Sequence, residues 1–123
     1  MRYKTIMTVV VTGASGFLGA NLVRGLLQQG RPVRAVVRRT TVGIDGLDVE
    51  VVKADVRDPE AIRRALTGAD VVYHAAAAIS IQGNLGGRVE DTNVRGVRHV
   101  VQGCLDAKVR KLIHFSSVHA LNP

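Results

Sequence analysis

The sequence predicts an α/β fold, a doubly wound parallel sheet of about five strands in the order 3-2-1-4-5. Three observations predict it. Apolar runs of strand length alternate with segments of helical period along the 123 residues. The first run ends in a turn carrying three glycines, and no internal repeat or interdomain linker interrupts the pattern. At 46% hydrophobic residues, the chain has the composition of one domain, residues 1–123, with a core of its own.

Strand one is read from Thr8 to Thr12. The helix from Phe17 to about Gln29 sets Leu18, Leu22 and Leu26, with Val23 and Leu27 one position on, along one stripe, and Gly30 stops it. Pro32 to Val37 is the second strand, Thr40 to Leu47 a polar loop, and Val49 to Lys53 the third strand. Asp58-Pro59-Glu60 has the form of a helix start, an N-cap residue followed by proline and an early acid, with Ile62, Ala65 and Leu66 on one face. Asp70 to His74 forms strand four and leads into a loop of small residues. A long helix from about Val89 to Ala107, with Val94, Val97, Val101 and Leu105 on its buried stripe, precedes strand five from Lys111 to Ser116.

Composition removes several function classes. The longest apolar run, Ile6 to Val11 with only Thr8 interrupting, is far short of the roughly 20 residues that cross a bilayer, and no leader pattern precedes it, so no membrane association is expected and the location is read as cytoplasmic. Cys104 is the single cysteine, which fits a reducing compartment and reads as a small apolar residue on a helix. The formal charge of +7 invites a nucleic-acid partner, but the basic residues are scattered and aromatics make up only 3%, so none is expected. His74, His99, His114 and His119 lack the spacing of a zinc site, and no metal is expected.

The run Thr12-Gly13-Ala14-Ser15-Gly16-Phe17-Leu18-Gly19 carries the chemistry. Gly13 lets the chain turn out of strand one, Gly16 keeps side-chain atoms away from a phosphate, and Gly19 lets the helix lie close to the sheet. Backbone amides and the helix dipole at that N-terminus favour a dianionic diphosphate. Strand, glycines, amphipathic helix and second strand fall in order within about 30 residues, as a Rossmann-like dinucleotide-binding unit requires. The expected contacts come from Gly13, Ser15, Gly16, Phe17, Leu18 and Gly19.

That run resembles the Thr-Gly-x-x-Gly-x-x-Gly signature of the extended short-chain dehydrogenase/reductases, the group of NAD-dependent epimerases/dehydratases and dihydroflavonol-reductase-like enzymes. The resemblance spans essentially the whole chain. It implies that Asp55 and Val56 contact an adenine ring, although an aspartate after a strand is also a common turn former. It implies further that Ala75, Ala76 and Ala77 border the nicotinamide ribose and that Asn93 occupies the family's asparagine position. Lys111 to Ser117 resembles the fifth strand leading into the catalytic serine, Ser117, with Ser116 and His119 as neighbouring alternatives.

Discrimination between coenzymes turns on the end of strand two, where an acid would bind the ribose hydroxyls and repel a 2′-phosphate. Arg38 and Arg39 stand there instead, and a guanidinium can grip a 2′-phosphate in two-pronged fashion, so NADP is expected, with NAD as the alternative. Arg39 reads equally well as a solvated loop charge. By resemblance, Ser117 would bond the substrate oxygen while a tyrosine with a lysine four residues later handles the proton. No Tyr-x-x-x-Lys is present; Tyr3 and Tyr73 have Met7 and Ala77 at that spacing.

The chain therefore reads as the cofactor-binding half of a hydride-transferring oxidoreductase, epimerase or dehydratase, truncated relative to the family and inactive alone. Its small-molecule substrate would require the C-terminal part. The alternative is a non-catalytic NADP-binding redox sensor or regulatory module. Truncated in this way, strand five is expected to be an open edge, and the isolated chain to self-associate or to be only marginally stable.

Overall fold

In the computed structural model the described residues are 7–76 and 87–116. Five strands form one parallel sheet in the order β3-β2-β1-β4-β5. They are β1 (Val9–Thr12), β2 (Val33–Val37), β3 (Glu50–Lys53), β4 (Val71–His74) and β5 (Lys111–His114). Helix α1 (Phe17–Gln28) connects β1 to β2, and α2 (Pro59–Ala65) connects β3 to β4. Helix α3 (Arg88–Glu90) runs through a π turn (Asp91–Arg95) into α4 (Gly96–Asp106), which leads to β5. The predicted strand order is the observed one.

Strand β1 is central because both its faces are apolar. Val9 and Val11 point into the layer shared with α1, where Val23, Leu26, Val33, Ala35 and Val37 are buried. Val10 points to the opposite layer with Val36, Val72, Ile62, Leu66, Val100 and Cys104. A run of apolar residues without polar alternation is what a strand covered on both sides needs. Burial of a large aliphatic side chain contributes about 1.5–3 kcal/mol, so both layers favour this placement of β1. Within one of these layers, burial pushes the Cys104 thiol up to about 11, which keeps it neutral and unreactive.

The start of α2 forms as the sequence implies. The Asp58 carboxylate accepts from the backbone amides of Glu60 and Ala61 at 3.1 and 3.2 Å, and Pro59 occupies the first helical turn. The other two helices differ from expectation. On α1 the buried residues are Gly19, Ala20, Val23 and Leu26, whereas Leu18 is 47% exposed. On the long helix Val94, Val101 and Leu105 are exposed, and the packed positions are Thr92, Gly96, Val100, Gly103 and Cys104.

The cause is close packing through glycine. A Cβ on Gly96 would lie 2.7 Å from Val56 Cγ2, and one on Gly103 would lie 2.9 Å from Leu66 Cδ1. The π turn also rotates the helix phase by inserting a residue. A reading that counts only apolar side chains misses a face whose contacts are made by backbone.

The same principle fixes α1 on the sheet. A Cβ on Gly19 would fall 2.0 Å from the Gly13 carbonyl oxygen and 2.7 Å from its carbon. Neither atom can yield, because both belong to the turn that begins the helix.

One polar pair is buried among these layers. The Thr12 hydroxyl oxygen accepts from the Ala75 and Ala76 amides at 3.1 and 3.3 Å, so its proton is directed to His74 Nδ1, 2.7 Å away. This assigns the His74 proton to Nε2, which has no hydrogen-bond partner among the described residues. Burial, and secondarily the nearby His114 ring stacked at a centroid distance of 5.4 Å, push the His74 imidazole down to about 4.

Two stability predictions follow from these contacts. Gly19→Ala is expected to lower unfolding free energy by ~3 kcal/mol through overpacking against backbone. Gly25→Ala, where a Cβ meets nothing within 4 Å, should be neutral or raise stability by roughly 0.5–1 kcal/mol. Urea denaturation of both variants separates the two cases, and equal effects would contradict the packing argument. For His74, the unfolded chain binds a proton near 6.5 and the folded chain only near 4. Stability is therefore complete above pH 6.5 and is lost as pH falls toward 4, by on the order of 3 kcal/mol. His74→Asn should flatten that part of the pH–stability curve, and an unchanged slope would contradict the assignment.

Candidate functional site

A cleft of about 330 Å³ opens at the carboxyl ends of the central strands. It lies where the chain order reverses, with β2 and β3 on one side of β1 and β4 and β5 on the other. Thr12, Gly13, Ser15 and Gly16 of the β1–α1 turn form one wall, and Val36 and Arg38 come from the end of β2. Ala54, Asp55 and Val56 follow β3, Ala75 and Ala76 follow β4, and Thr92 reaches in from the π turn.

The turn is shaped by a backbone conformation and two close approaches. Gly13 has φ of +65°, and a Cβ there would sit 2.7 Å from the Ala76 nitrogen. The loop after β4 is held in that position by the Thr12 hydroxyl, so the two chain segments meet backbone to backbone. Gly16 is the N-cap of α1, with no side chain capping the helix and no acid in the first turn. The first-turn amides thus lack a side-chain partner, and the helix dipole presents positive potential at the cleft. From the other side the loop after β2 presses on the turn: a Cβ on Gly43 would lie 2.8 Å from the Ser15 carbonyl oxygen. Arg24 on α1 anchors that loop by donating to the Gly43 carbonyl at 2.7 Å.

Charge is placed unevenly around the cleft. Arg38 is exposed and lines it, and no carboxylate stands at the end of β2. The Asp55 carboxyl is held below the usual carboxylate range, first by hydrogen bonding from the Arg57 side chain and, more weakly, by the charge of Arg38. The Arg57–Asp55 ion pair is tight, with Nη2 2.6 Å from Oδ2.

Of the residues the sequence singles out, Gly13, Ser15, Gly16, Arg38, Asp55, Val56, Ala75 and Ala76 are brought together in this cleft. Gly19 acts one layer behind, through its contact with Gly13. Phe17 is 91% exposed, and it, Leu18, Arg39 and Asn93 do not line the cleft. Ala77, Ser117 and His119 lie outside the described residues. Ser116, the residue after Phe115, is exposed. Thr12, Val36, Ala54 and Thr92 line the cleft without having been singled out. A threonine ending a wholly apolar strand is a usable signal for Thr12, since a buried hydroxyl needs partners. Nothing in the sequence marks Thr92, which depends on the π turn.

Among the described residues no group of three His, Cys, Asp or Glu could hold a metal ion, and no helix is long and apolar enough to cross a membrane. The residues present suit a dinucleotide: an uncapped helix N-terminus with glycine backbone for a diphosphate, a ribose-side arginine, and an acceptor carboxylate at the far end.

Comparison with known proteins agrees with this geometry. The chain is 46% identical over 121 residues to sterol demethylase protein B of Methylococcus capsulatus, covering 95% of this chain and 37% of that protein. It is 32% identical over 111 residues to 2-alkyl-3-oxoalkanoate reductase of Shewanella oneidensis, covering 87% and 27%. Among solved structures, a short-chain dehydrogenase/reductase superfamily protein from Agrobacterium tumefaciens, with bound NAD, superposes with a TM-score of 0.80 at 31% identity. That match covers 89% of this chain and 32% of the other. UDP-glucose-4-epimerase from Stenotrophomonas maltophila, also with bound NAD, gives a TM-score of 0.83 at 27% identity, over 92% and 38%. The chain thus spans about a third of the length of the curated relatives it matches. The sequence model describing the NAD dependent epimerase/dehydratase family matches residues 9–122, and the chain belongs to that family.

Proposed function

We propose that the cleft binds a nicotinamide adenine dinucleotide, with NADP preferred, and that the chain is the coenzyme-binding portion of an oxidoreductase, epimerase or dehydratase. The observation that carries the coenzyme preference is Arg38 at the end of β2, lining the cleft where an acid would otherwise meet the ribose. The bound dinucleotide would supply hydride transfer to or from a carbonyl or alcohol carbon.

The chain's own residues bind and orient. The amides of residues 15–18 and the Gly13 and Gly16 backbone would hold the diphosphate, and Arg38 the 2′-phosphate. Arg39, exposed beside it, would add charge without a fixed contact. Asp55 and Val56 would receive the adenine edge. Ala75 and Ala76 leave space for the nicotinamide ribose beside backbone pinned by Thr12. Ser117 would bond the substrate oxygen and stabilise the charge that develops on it. Substrate selection and a Tyr-x-x-x-Lys proton relay would require residues that these 123 do not include, and the expected location is the cytoplasm.

Strand β5 pairs with β4 alone among the described strands. Its other edge is proposed to pair with a second copy, because unmatched amides and carbonyls template strand addition.

Titration with NADPH and NADH tests the coenzyme assignment. The parent chain should bind NADPH at least about tenfold more tightly, and Arg38→Asp should abolish that preference by placing a carboxylate against the 2′-phosphate. Equal affinity of the parent for both coenzymes would contradict it. Sedimentation velocity tests the edge: the weight-average mass should rise with concentration, whereas a folded monomer at high concentration would count against self-association.

A further inference from the structure

Asp55 is held by a neighbour that takes no part in the cleft. Arg57 surrounds its carboxylate from one side: the Arg57 backbone amide donates to Oδ1 at 2.9 Å, Nε lies 3.1 Å from both oxygens, and Nη2 is 2.6 Å from Oδ2. Four contacts to one small side chain fix both of its torsions. Asp55 lines the cleft, yet Arg57 lines a separate hollow beside it, with Pro59, Asp91, Arg95 and His99. The guanidinium therefore sits behind the carboxylate and does not occupy the space in front of it.

That arrangement is buttressed from the long helix. Asp91 attracts Arg57 across the hollow and is itself tied to Arg95 at 3.0 Å. His99 Nδ1 donates to the Val56 carbonyl at 2.7 Å, which anchors the backbone next to Asp55. A solvent-exposed ion pair contributes only about 0–1 kcal/mol to stability, and this one, with side chains 32% and 26% exposed, is only partly shielded from water.

From this geometry we infer that Arg57 is a positioning residue for purine recognition: it aims the Asp55 carboxylate so that the cleft accepts a 6-amino purine and rejects a 6-oxo purine. This rests on the reading of the cleft as a dinucleotide site. An ionised carboxylate only accepts hydrogen bonds, and each oxygen has two lone-pair sites. Arg57 offers three N–H groups to these four sites, with that of Nε shared between the two oxygens, so acceptor capacity remains for a base bound on the cleft side. An exocyclic amino group donates to the carboxylate, whereas a carbonyl oxygen at the same place meets a like partial charge without a proton between them. Loss of Arg57 leaves Asp55 present and ionised but free to rotate, so the effect falls on discrimination.

The test compares binding of NADPH and its hypoxanthine counterpart, in which the 6-amino group is replaced by oxygen, to the parent chain and to Arg57→Gln, Arg57→Lys, Asp55→Ala and the Arg57→Gln/Asp55→Ala double variant. The parent should prefer NADPH by about tenfold, Arg57→Gln should bring the two within about threefold, and Arg57→Lys should fall between. In the Asp55→Ala background, Arg57→Gln should cost nothing further. An unchanged preference in Arg57→Gln, or losses that add in the double variant, overturns the inference alone. Failure of the parent to bind either compound overturns the dinucleotide reading and this inference with it.

Discussion

The turn between β1 and α1 has no room for a side chain on either of its flanks, and the architecture of the cleft depends on that. Gly19 brings α1 against the Gly13 carbonyl, and Gly13 brings the turn against the Ala75–Ala76 backbone. Two elements, a helix and the loop after β4, are thereby located relative to one another by backbone contact, which rotamer changes cannot loosen. The N-terminus of α1 is aimed into the cleft as a consequence, and the positive end of its dipole is a fixed feature of the site. Thr12 completes the clasp from the strand side, since its hydroxyl binds both loop amides and the neutral His74 ring.

Around this uncharged cradle the charged groups are graded by distance from it. The proposed diphosphate position would be served by the backbone amides of the β1–α1 turn. Arg38 stands one strand away, and the Asp55–Arg57 pair two strands away, beyond which Asp91 and Arg95 continue the alternation of sign onto the long helix. A dinucleotide presents the matching sequence of groups: diphosphate, ribose with or without phosphate, then a neutral base with donor and acceptor edges. Recognition of this kind needs geometry held from behind, because an exposed ion pair without support gains little over water.

Much of this was legible in the amino-acid order. Val9 to Val11 read as a buried strand, Asp58-Pro59-Glu60 as a helix start, and Gly13, Gly16 and Gly19 as a turn between a strand and a helix. The strand order is the one that a Rossmann-like fold implies. What could not be read was contact made by absence. Gly96 and Gly103 carry the packed face of the long helix, so the apparent stripe of Val94, Val101 and Leu105 points outward. The π turn brings Thr92 to the cleft while Asn93 lies outside its lining, and no local pattern encodes that shift. Phe17 and Leu18 follow the β1–α1 turn in sequence, yet their side chains are exposed and do not line the cleft; any part they take in binding would be through backbone amides, which residue type does not report.

The most direct measurement is of those amides themselves. In a ¹⁵N-labelled sample titrated with NADPH, the largest amide shifts should fall on residues 15–18, with smaller ones at Ala75 and Ala76, and inorganic diphosphate should reproduce the first set alone. Saturable binding that leaves residues 15–18 unmoved would contradict the account, because the helix N-terminus would then not be the group that holds the ligand.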